Sequence, residues 1–468
     1  MSDKAVVAAQ NRRILFSFVF TAALAVGSLV LLNRTLLNGV LLQDLHYLYL
    51  GGAFMINLFA IYYYIVHPNA GFASIQVSYY FAFGALFPAL VYTSIGLYPW
   101  PIAYQVVSQE LLRKTSFMCL VFSLFLHAGI FYGMRGKYLP PARRTAGLSA
   151  KLALPVLLAG YFFTLLLYAW IGLDIITTPR IQIEHTLSDA GGPRFAIFKR
   201  VSLLLFALSL VAGFIARNDP HPKNRRIFLW LFVVMAATLF VFVNPVNSAR
   251  WRLIGFVASF ILLFAPLNST AAKFWTFWAM FAGSILLYPL LSVFSRTSRQ
   301  WDRISSGAWQ EFFAAGDFDG YQSMMHGVYW AQEFGLYLGS GLVNSALSFI
   351  PRQVWPDKPV HSGQIVSEWL GSANTNLSMP LFGEAYLNFH LFGALLIFVA
   401  GFAVARIDKL LRSEPSATLS YFAALVVGGS MLFITRGALQ AVTEFVWQIM
   451  ILIALTVWIC RKKRARAV

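Results

Sequence analysis

The sequence predicts an all-α protein: a polytopic bundle of about 12 transmembrane helices with a long helical loop on one face. Three observations carry this. Of the 468 residues, 59% are AVILMFWYC and only 12% are charged. Apolar runs of roughly 20 residues recur, the length a helix needs to cross about 30 Å of hydrocarbon. The basic residues fall mostly on one side of those runs. This composition excludes a soluble single-domain enzyme.

Taken in order, the apolar windows cover residues 14–32, 47–67, 75–97, 116–134, 152–173, 195–216, 227–244, 253–266, 274–294, 389–405, 418–435 and 442–460. The first is long and lacks an A-x-A-like exit, so it reads as a retained anchor rather than a cleaved signal. The window 253–266 is short for a full crossing and is included because the parity of the chain requires it. Cys119 and Cys460 lie within windows and read as packing residues, with no disulfide or metal framework.

The net charge of +18 is tested against the spans, because hydropathy did not use it. With the N-terminus inside, the cytoplasmic segments hold 21 of the 36 Lys+Arg and four of the 18 acids, Asp3, Asp219, Asp408 and Glu414. Nearly all the excess charge is therefore inside, the asymmetry that orients a membrane protein. Runs such as Arg461–Arg464 are read as topology signals, and no nucleic-acid partner is expected.

Residues 1–294 thus form nine spans, 295–388 a loop on the outer face, and 389–468 the last three spans with a basic tail. A 94-residue connection is far above the usual length, and such loops are usually functional. It contains an amphipathic stretch from about Tyr321 to Leu338, with Met324, Val328, Trp330 and Phe334 at helical spacing, suited to an interface or a cap on the bundle.

Cations are normally depleted from the outer side, yet Lys199, Arg200, Arg250, Arg252, Arg296, Arg299, Arg303 and Arg436 all fall there. Snorkelling explains one such residue more readily than the set. An anionic ligand at headgroup depth accounts for all of them, and a lipid diphosphate fits, because guanidinium groups hold phosphate oxygens bidentately. No G-x-x-x-x-G-K-[ST] or G-x-G-x-x-G occurs. A sugar on a lipid diphosphate needs no nucleotide: the diphosphate leaves once its charge is held, and a carboxylate or His serves as base for the attacking hydroxyl. Outer-face candidates include Glu184, His185, Asp302, His326, His361 and Glu384. Asp317-Phe318-Asp319 reads as a metal clamp or, equally, as a turn between Gly316 and Gly320; no metal or other cofactor is expected. Glu444, inside the last window, could pair with Arg436 only across about 12 Å of helix rise.

The segment Ser348-Phe-Ile-Pro-Arg-Gln-Val-Trp-Pro-Asp-Lys-Pro359 resembles the I-P-R-x-x-W-P-x-K-P segment of Wzy-type O-antigen and oligosaccharide repeat-unit polymerases of bacterial inner membranes. Gly383-Glu384-Ala385-Tyr386-Leu387-Asn388-Phe389 is similar to the family's G-E-x-Y-x-N segment, although His390 stands where Gly is frequent. Asn244-Pro245 followed by Arg250, and Arg436-Gly437, add to the likeness, which covers roughly the C-terminal half.

The resemblance implies a glycosyltransferase of the GT-C type with its active face in the periplasm. Such an enzyme moves a growing glycan from its polyprenyl diphosphate carrier to a carrier-linked repeat unit, within the lipid membrane and alongside a chain-length regulator and a flippase. Together, chemistry and resemblance give Arg250, Arg296, Arg352, Lys358 and Arg436 as diphosphate ligands, with Glu384 first and His361 second as the base. An O-antigen ligase, using the same donor, and a lipid-linked oligosaccharide transporter are the alternatives. A transporter is expected to have paired broken helices and charges on both leaflets.

Overall fold

A computed structural model describes residues 44–100, 107–135, 148–179, 194–265, 269–284, 313, 316–350, 352–371, 377–412 and 418–461. The first apolar window, Arg296, Asp302 and the Glu184-His185 pair lie outside these residues. Among them the protein is helical, with one isolated bridge between Leu148 and Arg461.

Among the described residues eight helical stretches are long and apolar enough to cross a membrane, making this a multi-pass membrane protein. They comprise α1 (Leu45–Val66), a stretch of α2 (Phe72–Tyr79), a π-helix (Tyr80–Leu86) and α3 (Phe87–Ile95), α4 (Gln109–Met134), and α5 (Ala150–Ile171). Next come α6 (Arg194–Asn218) and α7 (Pro222–Phe242), followed by the shorter α8 (Arg250–Phe264) and α9 (Thr270–Ala282). The loop region supplies α10 (Gly320–Phe334), α11 (Ser340–Ala346) and α12 (Ser362–Trp369). The chain then continues through α13 (Leu381–Phe389), α14 (Gly393–Arg412), α15 (Leu419–Gly429), α16 (Met431–Arg436) and α17 (Leu439–Cys460). Eight of the 12 expected spans are found among the described residues. The window 253–266 is a 15-residue helix and 418–435 is broken at Ser430, so neither meets the length of a full crossing.

Two irregular helices have local causes. Pro88 has no N–H for the Gly84 carbonyl and its ring crowds that position, and the chain around it runs in the wider π register. At Ser430 the Gln76 amide inserts: it donates to the Gly428 carbonyl (2.7 Å) and accepts from Leu432 N–H (3.4 Å), bridging two groups that an unbroken helix would pair with each other.

Two large apolar cores result, with a small third cluster of Val366, Met379, Leu387 and Ala438. One gathers α1, α2 to α3, α4, α10, α13 and α14; the other gathers α5 to α8 with α15 and α17, and Met280 and Ile434 pack against both. Among the described residues α4 packs most extensively with α14. Gly129 and Gly133 face Phe398, Phe402 and Ala405, while Gly401 faces Leu126, and the backbones approach as in small-xxx-small membrane packing.

At the end of the bundle away from the loop helices, buried charges hold the α1–α2 turn. Asp408 of α14 accepts from the backbone N–H of Gly71, Ala73 and Ser74 and from Ser74 Oγ (2.6–3.1 Å), capping α2, whose own N-cap is the side-chain-less Gly71. Lys273 donates to the carbonyls of Tyr64, His67 and Ala70 (2.7–3.2 Å), satisfying the C-terminus of α1. Arg412 reaches the Pro68 and Asn69 carbonyls.

Two substitutions are expected to move stability in opposite directions. A methyl group at Gly401 would overlap the Leu126 carbonyl, so Gly401→Ala should cost about 2 kcal/mol. His390 sits at φ +53°, so His390→Gly should relieve roughly 1 kcal/mol of strain. Thermal unfolding in detergent checks both: a lowered midpoint for the first and a raised one for the second.

Candidate functional site

The loop end of the bundle carries two charged assemblies, each built from several elements. The first positions Arg250 and Arg436. Asn244 and Asn247 shape the turn between α7 and α8. Asn244 Oδ1 accepts from the N–H of Val246 and Asn247, and the two side-chain amides donate to Ile176, Val241, Ile175 and Phe242 carbonyls (2.8–3.0 Å). That turn sets Arg250 at the first position of α8.

Arg250 Nη1 lies 3.2 Å from Asp317 Oδ2, with both side chains buried, and Arg436 Nη2 lies 3.3 Å from Asp319 Oδ1. Asp319 also accepts from Trp100 Nε1 (3.1 Å) and Ser378 Oγ (2.8 Å). The Asp-Phe-Asp segment is therefore a clasp that ties the loop to α8 and α16, each carboxylate facing a guanidinium among the described residues. Opposite charges meet within it, as burial demands.

The second assembly surrounds a cavity of about 380 Å³, a volume in the range of small-molecule sites. Its charged and imidazole walls are Arg200, Arg352, Lys358, His361 and Glu444, and its amides are Gln353, Gln364, Gln440 and Gln448. The loop segment is shaped by a turn closed by Lys358 N–H to the Trp355 carbonyl (3.1 Å), with Pro356 second in the turn, where its fixed φ fits. Lys358 Nζ then donates to the carbonyls of Ser348 (2.6 Å) and Ile350 (3.2 Å) and stands 3.8 Å from Glu444 Oε2. The lysine thus staples the turn and adds charge to the cavity wall.

Glu384 does not line the cavity. It is 3% exposed, and its Oε1 accepts from Ser362 Oγ (2.5 Å) and from Leu439 N–H (2.8 Å), so its carboxylate caps α17 and anchors α12. Leu439 immediately precedes the cavity residue Gln440, so the cap fixes the helix that forms one wall.

His361 does line the cavity. As the N-cap of α12 its Nδ1 accepts from Gln364 N–H (3.1 Å), and burial holds its imidazole below the usual 6.5 although Glu368 pulls the other way. A neutral ring whose Nδ1 is an acceptor carries its proton on Nε2. His326, on α10, is packed inside the bundle rather than exposed, neither ring nitrogen has a hydrogen-bond partner, and burial pushes it down to about 4.

Of the sequence candidates, Arg352, Lys358 and His361 converge on one cavity, whereas Arg250 and Arg436 meet at the clasp. Two cavity residues, Arg200 and Glu444, are not site residues in the sequence reading, which sets Arg200 among the outer cations and Glu444 near Arg436; Glu444 pairs instead with Lys358, and Arg436 with Asp319. A signal for Glu444 existed: Gln440, Glu444 and Gln448 recur every four residues on an apolar helix, one polar stripe along one face.

Because His361 is held below its unfolded value, the unfolded chain binds the extra proton as pH falls below about 6.5, and stability is full above that pH and lost beneath it. His326 has the same sign. The wild-type unfolding midpoint should therefore drop between pH 7.5 and 5.5, and His361→Asn, which keeps a capping acceptor without a titrating ring, should flatten part of that drop. An unchanged slope in the variant would remove the titration from His361.

No protein-family model, no curated protein and no solved structure matches this chain.

Proposed function

We propose that the cavity binds the diphosphate of a polyprenyl-linked oligosaccharide and that the protein is a glycan polymerase. In this reading it transfers a growing chain from one carrier to a carrier-linked repeat unit. The observation that carries it is the meeting of Arg200, Arg352 and Lys358 on one cavity that has a single carboxylate, Glu444, among its walls. The excess of positive charge suits an anion, and the guanidinium groups suit phosphate oxygens. Four glutamines around the same space supply donors and acceptors for sugar hydroxyls.

The cavity opens at one end of an apolar bundle, so a ligand can keep its chain in lipid while its headgroup is held by protein. Phe349, which lines the cavity, and Trp447 on α17 have their rings 5.6 Å apart. The clasped residues Arg250 and Arg436 act in this reading by fixing the loop, while Arg200, Arg352 and Lys358 stabilise the charge that develops on the departing diphosphate. The resemblance of the Ser348–Pro359 segment supports the same assignment. It places the reading in a bacterial inner membrane, with a GT-C-like arrangement of about 12 spans and the cavity facing the periplasm.

Reconstitution with synthetic polyprenyl-diphosphate repeat units tests it. Glycan length on the carrier should grow with time, and Arg352→Ala should slow growth about a hundredfold, the scale of losing a donor to a developing oxyanion. Movement of substrate across the vesicle without elongation would reject the reading. Transfer only to a lipid A core acceptor would reassign the protein as a ligase.

A further inference from the structure

We infer that Glu444 is the general base that deprotonates the attacking hydroxyl in this cavity; the inference rests on the polymerase reading above. Three groups were chemically able to take the role, and their hydrogen bonds separate them. Glu384 is committed elsewhere. Its Oε1 already accepts two hydrogen bonds, it is 3% exposed, and it is absent from the cavity wall. Its carboxylate is a helix cap.

The lone pair His361 would need as a base is already engaged. Nδ1 is occupied by the Gln364 N–H, so the neutral ring presents Nε2–H, which donates a hydrogen bond but has no lone pair to receive a proton. That N–H suits an oxygen of the leaving diphosphate.

Glu444 has what the other two lack. It is the one carboxylate among the cavity-lining residues, and its side chain is 44% exposed, open enough for a substrate to reach. It is also oriented. Gln448 Nε2 donates to Oε1 at 3.1 Å, and Lys358 Nζ stands 3.8 Å from Oε2. The carboxylate is thereby fixed to α17, whose N-terminus Glu384 caps, in the cavity that Arg200, Arg352 and Lys358 also line. A base and a set of leaving-group cations lining one cavity is the arrangement a single displacement needs.

The step balances without any further reactant. The acceptor hydroxyl oxygen forms a bond to the anomeric carbon as the bond from that carbon to the diphosphate oxygen breaks. The bonding pair leaves with the diphosphate, where Arg200, Arg352, Lys358 and the His361 Nε2–H meet it. The hydroxyl proton passes to Glu444 and is later released to water. Nothing is oxidised or reduced.

The test compares wild type, Glu444→Gln and Glu444→Ala in vesicles containing the synthetic polyprenyl-diphosphate repeat unit. With the base removed, kcat should fall about a hundredfold or more, with the donor KM changed less than about threefold. Formate should restore part of the Glu444→Ala rate by entering the vacated space, a response that a merely structural residue does not give. Because loss of the Lys358 pair could unsettle the loop, each variant is first compared with wild type by thermal unfolding, and formate rescue reports on any variant whose midpoint has dropped.

The charged and titratable groups that share the cavity with Glu444 are Arg200, Arg352, Lys358 and His361. A wild type that elongates beside an equally active Glu444→Gln, or a loss confined to KM without formate rescue, overturns this inference and leaves the polymerase reading intact. A wild type that does not elongate overturns both.

Discussion

The contacts of the Lys358 ammonium are the constraint on which the candidate site depends. One buried cation donates to two carbonyls of its own loop and faces Glu444 on α17, so the turn that presents Arg352 and the N-cap of α12 that presents His361 are joined to the last helix. A charge taken from water is tolerated only where protein groups replace its hydration. Here the replacements come from two segments about 90 residues apart in sequence, and satisfying the charge therefore brings them together. The opposite end uses the same device. Lys273 and Asp408 each saturate a helix terminus contributed by a different part of the chain, so ionic groups in this bundle act as fasteners wherever their partners are backbone.

Compensation distinguishes fasteners from ligand groups. Arg250 and Arg436 each face an aspartate of the same short segment, and such a pair offers little field to an anion. Around the cavity three cations share one carboxylate among the walls, and Arg352 points from an exposed turn. The excess is local and lies beside space. This difference cannot be read from a count of cations along the chain, since the partners of Arg250 and Arg436 are distant in sequence.

The spans were legible because hydropathy and length are properties of contiguous sequence. Most windows from 47–67 onward coincide with helices to within a few residues. The exceptions arise from contacts: the break at Ser430 depends on the Gln76 side chain from α2, and the short α8 begins where the Asn244–Asn247 turn ends. The motif Ser348–Pro359 was legible too, because prolines, a tryptophan and two cations in a fixed spacing are rare by chance, and Arg352, Lys358 and His361 do meet in one place. The role of Glu384 was not legible. A carboxylate before a helix reads equally as cap or base, and only the Leu439 N–H, 55 residues away, distinguishes them. Likewise His390 differs from the glycine of the resembled segment, and its backbone adopts the left-handed conformation that glycine would take without strain.

The account turns on where the two phosphates of a lipid diphosphate come to rest, and the most direct measurement is an experimental structure of the protein in lipid with that ligand bound. Phosphate density within about 4 Å of the Arg352 and Arg200 guanidinium groups, with Arg250 and Arg436 still paired to Asp317 and Asp319, is the predicted result. Density seated between Arg250 and Arg436 with the aspartates displaced, and an empty Arg352 cavity, would contradict it.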